Sequence, residues 1–100
     1  MTITRIFRVR IFPLLRPEFE RKFADISVST VKAAVGVLSV EIFKPTIWAP
    51  NEYMMISVWE DEASLRAFAG HNWNCPVIPS GMEQFVGECW VHHYQTWCQP

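Results

Sequence analysis

Three histidines, at positions 71, 92 and 93, are the side chains of this chain best suited to moving a proton near neutral pH. His71 opens the run His71-Asn72-Trp73-Asn74, where an imidazole beside side-chain amides can pair a general base with donors for a developing oxyanion. Asn72 or Asn74 would orient the substrate, and Trp73 would anchor the loop. His92 and His93 are adjacent in an extended segment, so they point to opposite faces and do not grip one metal ion together. His71 and Cys75 have a spacing open to a metal, but no third and fourth ligand accompanies them, and no metal site is expected. Arg8 and Arg10 share a strand face, where they either bind an anionic group or pair with acids such as Glu41 on a neighbouring strand. No Gly-rich phosphate loop or nucleophile elbow is present. Each of these groups has a plainer role open to it: 71–74 as a polar surface loop, and one of the paired histidines as a buried neutral side chain.

The elements that must position these residues follow from periodicity. Residues 3–12 alternate as a first strand, with Phe7, Val9 and Ile11 on one face and Arg8 and Arg10 on the other. Pro17 suits the first turn of a helix over 17 to about 34, with Phe19, Phe23, Ile26 and Thr30 inward. Gly36 can cap it, and a second strand runs from Val37 to Phe43. The stiff link Pro45–Pro50 leads to a third strand, Tyr53 to Trp59, which runs straight into a short helix. There Glu60-Asp61-Glu62 sits at the positive end of the helix dipole, Leu65, Phe68 and Ala69 share a face, and Gly70 ends it. Ser80-Gly81-Met82-Glu83 has the capping-box pattern of a further short helix, and Cys89 to Trp97 is the fourth strand.

The order β-α-β-β-α-(α)-β is that of a ferredoxin-like α+β fold with an antiparallel four-stranded sheet, and residues 1–100 are expected to form one domain. Both faces of the second strand (Val37 and Phe43; Leu38, Val40 and Ile42) and of the third (Tyr53, Met55 and Trp59; Met54, Ile56 and Val58) are apolar. Helices cover one face of such a sheet, so the other is expected to pack on a second copy, giving a homodimer through sheet faces. Trp59, at the strand–helix corner, is either core or the wall of a pocket. Met54 and Met55 can likewise fill the core or line an adaptable apolar cavity.

Composition narrows the partners. Half the residues are hydrophobic and the formal net charge is −1, which gives no electrostatic case for nucleic acid or an anionic membrane. No segment approaches the roughly 20 apolar residues that span a bilayer. Arg5, Arg8 and Arg10 interrupt the start of the chain, unlike a signal peptide. Cys75, Cys89 and Cys98 form an odd set without a paired motif, and a reduced, cytoplasmic protein is expected.

The run Val58-Trp59-Glu60-Asp61-Glu62-Ala63-Ser64-Leu65, after a strand–helix–strand unit, resembles the antibiotic biosynthesis monooxygenase family of small ferredoxin-like proteins. The resemblance implies a dimeric α+β barrel, and it implies oxidation of a small aromatic, quinol-type or polyketide-like molecule without metal, flavin or haem. Trp59 and Phe68 would then be pocket walls, with Met55, Trp73 and His92 against the substrate. His71 or His93 would be the base and Asn72 the orienting amide. Isomerases, lyases and ligand binders share the fold. Haem-degrading relatives use an asparagine on the first strand, a tryptophan in the second helix and a histidine soon after. Those positions read Val9, Phe68 and a site near Ile78, with His71 the nearest histidine, so haem degradation is disfavoured.

Overall fold

The structure, a computed structural model, describes residues 1–97, so Cys98 lies outside the described residues. Its elements are β1 (Ile3–Ile11), α1 (Arg16–Lys22), α2 (Val28–Lys32), β2 (Val37–Phe43), β3 (Glu52–Trp59), α3 (Glu62–Ala69) and β4 (Val86–Gln95). The strands form one antiparallel sheet in the order β2-β3-β1-β4. This is the α+β, ferredoxin-like arrangement, and the helices pack on one face of the sheet. No helix is long and apolar enough to cross a membrane among the described residues.

A π-helical turn, Phe23–Ser27, joins α1 to α2 without leaving right-handed helical backbone at either junction. The wider turn inserts one residue into the helical phase. The inward set is therefore Phe19, Phe23, Ser27 and Val31, all buried, rather than a set continuing through Ile26 and Thr30. Phe19 stacks on Phe23 and packs against Tyr53 and Phe85, which fixes the helix on β3 and on the turn that precedes β4.

An eight-residue helix such as α3 is not stable alone, and two features hold it in place. The Asp61 carboxylate accepts the Ser64 N–H at 2.8 Å, satisfying a free donor of the first turn, and Leu65 is fully buried. Burying one such side chain contributes about 2 kcal/mol. Gly70 ends the helix at φ 87°.

Three details differ from the sequence expectation. The register of β2 shifts between Val37 and Ser39, a bulge at Leu38, so Val37, Val40 and Ile42 face the helices and Ser39, Glu41 and Phe43 face away. The outer face of β2 is thus mixed rather than apolar. In place of a capped α-helix, Glu83–Phe85 is a single 3-10 turn, and the Glu83 carboxylate accepts the Gly81 N–H at 2.9 Å. Glu41 is not adjacent to β1, because β3 lies between. Arg10 pairs instead with Glu88 at 2.7 Å and Glu52 at 3.6 Å.

The face of the sheet away from the helices carries Ile6 on β1, Met54, Ile56 and Val58 on β3, and Trp90, His92 and Tyr94 on β4. No helix covers it.

Candidate functional site

On the helix-covered face the strands carry apolar side chains with one polar row. Register places Arg5 of β1 opposite Ser57 of β3 on one side and His93 of β4 on the other. Parity along β1 puts Arg5 in phase with Ile3, Phe7, Val9 and Ile11, so a guanidinium enters the interior where the pattern otherwise supplies hydrocarbon. Arg5 is 4% exposed and Ser57 is 2% exposed.

Arg5 is held by uncharged acceptors. Nη1 donates to the Trp73 carbonyl at 2.7 Å and to His93 Nε2 at 2.8 Å, and Nη2 donates to the Cys75 carbonyl at 3.1 Å. These bonds pin the irregular segment after α3 onto the sheet. Arginine forms no ion pair among the described residues at this position. Burial lowers its pKa to about 10, so it remains a cation at neutral pH. His93 is pushed down to about 4, first by burial and then by the charge of Arg5 and by His92. Its ring packs edge-on against Trp73 at 4.6 Å between centroids.

Beside this row lies a cavity between the sheet and α1, α2 and α3, closed on its remaining side by residues 77–82. Its apolar walls include Phe7, Val9, Phe23, Met55, Phe68 and Ile78, while Arg5, Ser27, Thr30 and Ser57 supply its polar spots. The cavity volume is about 40 Å³. At ~10–15 Å³ per water, it holds about three waters. A ring-sized ligand must therefore displace the 77–82 wall, which has no regular structure before Glu83.

Ser57 Oγ accepts the Trp59 indole N–H at 3.0 Å, leaving its own proton free to point into the cavity. Thr30 donates to the Ile26 carbonyl at 2.8 Å. No aspartate or glutamate lines the cavity.

The residues singled out from sequence separate into three groups. Met55 and Phe68 line the cavity, and Trp59, fully buried, packs behind it against Phe68 at 5.1 Å. His93 and Trp73 form the support of Arg5 and are not on the cavity wall. His71 and Asn72 are exposed in the turn after α3, and His92 is exposed on the uncovered sheet face. Arg5 and Ser57 also line the cavity and are not among the residues that the sequence singles out, although the strand parity of β1 places Arg5 inward. Val9, Phe68 and Ile78 all line the cavity, and none of the three carries a group that ligates iron. No cluster of three or more potential metal ligands occurs among the described residues.

The family model for antibiotic biosynthesis monooxygenase matches residues 2–73, most of the chain and all of β1 through α3. The chain belongs to the antibiotic biosynthesis monooxygenase family.

Solved structures similar to this family member span nearly its whole length. Rv0793 from Mycobacterium tuberculosis is 12% identical, with 99% of this chain and 98% of that chain covered and a TM-score of 0.72. A mutant of SnoaB, a cofactor-independent oxygenase from Streptomyces nogalater, is 15% identical over 98% of this chain and 95% of that one, with a TM-score of 0.71. The heme-degrading protein Rv3592 from Mycobacterium tuberculosis is 18% identical over 100% and 99%, with a TM-score of 0.66. At these identities the likeness is one of fold. No curated protein matches the chain in sequence.

Proposed function

We propose that this protein is a monooxygenase that oxidises a small, electron-rich aromatic, quinol-type or polyketide-like molecule without a cofactor of its own. The observation that carries the reading is the apolar cavity whose sheet wall carries one polar pair, Arg5 and Ser57, with His93 holding Arg5 from behind. Family membership and the fold shared with SnoaB support it. Such a substrate supplies its own electrons. Its anion gives one electron to dioxygen, the resulting radical and superoxide combine as a peroxide anion that takes a proton from water, and loss of water from this hydroperoxide leaves a quinone-type carbonyl. The protein has to bind the rings, favour the anion and exclude water. Phe68 and Met55 serve as walls, with Trp59 stiffening Phe68 from behind.

The working unit is a homodimer joined through the uncovered sheet face, where Ile6, Met54, Ile56 and Val58 would otherwise meet water. Free Cys75 and Cys89 suit a reducing, cytoplasmic setting.

A second reading, a non-oxidative isomerase, lyase or binder, is favoured by one observation: no histidine lies on the cavity wall to act as a base. Oxygen uptake by metal-stripped protein with anthrones, naphthols and hydroquinones separates the two. Uptake above the protein-free rate is expected. Tight binding of these compounds without uptake would overturn the oxygenase reading in favour of the second.

A further inference from the structure

The cavity needs some means of taking a proton from its ligand, and neither His71 nor His93 stands on its wall. We propose that the cavity takes its ligand as an oxyanion, a phenolate or enolate seated on Arg5, and that the buried guanidinium itself drives the ionisation. The inference rests on reading this cavity as the substrate site.

Of the five N–H groups of a guanidinium, three are engaged here, all by uncharged acceptors: the carbonyls of Trp73 and Cys75 and the imidazole of His93. The N–H on Nε and one on Nη2 have no acceptor among the described residues. Ser57, the register neighbour of Arg5, has a hydroxyl proton equally unengaged, since its oxygen accepts from Trp59. Arg5 can therefore only donate to a guest, and the Ser57 hydroxyl can donate beside it. The titratable side chains beside the cation are Cys75 and His93; the ion pairs among the described residues all lie elsewhere, and the cavity wall holds no carboxylate. A buried charge without a partner is costly, and an anionic guest relieves that cost where a neutral hydroxyl does not.

The sign of the effect is diagnostic. An apolar cavity alone raises the pKa of a bound phenol, because burial disfavours its anion. A cation at hydrogen-bond distance lowers it. In the step proposed, the ligand O–H breaks, its electron pair stays on oxygen beside Arg5, and the proton passes to bulk water. His93 is a positioning residue: it holds Nη1 of Arg5 and does not touch the ligand. If Arg5 only fastened the 73–75 segment to the sheet, its loss would weaken all ligands alike.

The test uses 2-naphthol and 2-methoxynaphthalene, nearly equal in shape, of which only the first ionises. Ultraviolet titration of 2-naphthol bound to the wild-type protein is expected to give a pKa at least about one unit below the free value, equivalent to about tenfold tighter binding of the anion. Arg5→Met is expected to lose at least about tenfold more affinity for the naphtholate than for 2-methoxynaphthalene, with Arg5→Lys intermediate. Should Arg5→Met fail to fold, the wild-type titration decides by itself. A bound pKa equal to or above the free value overturns the inference and leaves the cavity reading standing. Binding of neither probe overturns the cavity reading and the inference with it.

Discussion

Arg5 on β1 and His93 on β4 face each other in register, and Nη1 of Arg5 donates to Nε2 of His93 at 2.8 Å. A guanidinium has donors only, so the imidazole must accept with Nε2 and carry its proton on Nδ1. Burial first, then the charge of Arg5 across the strand pair and His92 beside it, favour the neutral form of His93.

His93 is accordingly expected to titrate near pH 4, against an ordinary value of 6.5. The native state then binds fewer protons than the unfolded chain between those values, so the stability gained is present above about 6.5 and lost as pH falls toward about 4. Proton NMR of the imidazole gives the midpoint directly. Chemical denaturation of wild type and His93→Gln across the same range checks the linkage, the wild type weakening more on acidification. An imidazole midpoint at 6.5 would show that Arg5 and His93 are not in contact.

Tyr53 is buried, and its hydroxyl donates to Glu20 at 2.6 Å, with Arg16 and Lys44 also on that carboxylate. The hydroxyl of Tyr53 and the side chains of Arg16 and Lys44, in that order, hold the Glu20 pKa down to about 2. Tyr53→Phe keeps the ring against Phe19 and Phe23 and removes one hydrogen bond, so a cost of about 1 kcal/mol is expected in urea unfolding. No loss would place the hydroxyl in water instead.

Gly36 joins α2 to β2 at φ 90°, and a Cβ there would collide with the Ser64 side chain at the start of α3. Gly36→Ala is expected to cost about 1–3 kcal/mol, from strain plus the clash. Adding Ser64→Gly should return part of that, measured against Ser64→Gly alone. Equal penalties in both backgrounds would mean that only the backbone matters.

Much of the fold is legible in the sequence because local signals agree with tertiary packing. The run Tyr53 to Trp59 alternates cleanly and is followed by the Asp61 cap, so β3 and α3 fall within one or two residues of their expected places. What eluded the pattern are three places where one residue is added to a regular period, one of them Gly87 in β4, a strand expected from Cys89 to Trp97 and observed from Val86 to Gln95. The π-turn at Phe23–Ser27 moves the buried set from Ile26 and Thr30 to Ser27 and Val31, and the bulge at Leu38 reverses the faces of β2. Neither leaves a mark in composition.

The site was less legible for a different reason. His71 and Asn72 have the chemistry of catalysts, but the turn after α3 leaves them exposed, away from the cavity wall. Arg5 sits among apolar neighbours on a strand rich in arginines, so its inward parity is easily passed over. Whether it has an acid partner depends on which strands flank β1, and that is decided only by the assembled sheet.

His71→Ala is therefore expected to leave ligand affinity within about twofold, whereas Phe68→Ala, which removes a cavity wall, should cost tenfold or more. Isothermal titration with 2-methoxynaphthalene makes the comparison. Equal losses would move the site toward the 71–74 turn.

The uncovered sheet face predicts self-association. Sedimentation equilibrium is expected to give about twice the 11.6 kDa chain mass, and Ile56→Glu, at the centre of that face, should return it to the monomer. A wild-type monomer at micromolar concentration would leave that face without its proposed partner.

The most direct test of the whole account is a crystal structure of the protein with bound 2-naphthol. The rings are expected between Phe7, Met55 and Phe68, with the oxygen about 3 Å from Nε or Nη2 of Arg5 and the 77–82 wall displaced outward. Rings lying on the uncovered face near Ile56 and Trp90, or against His71, with the cavity still closed, would contradict it.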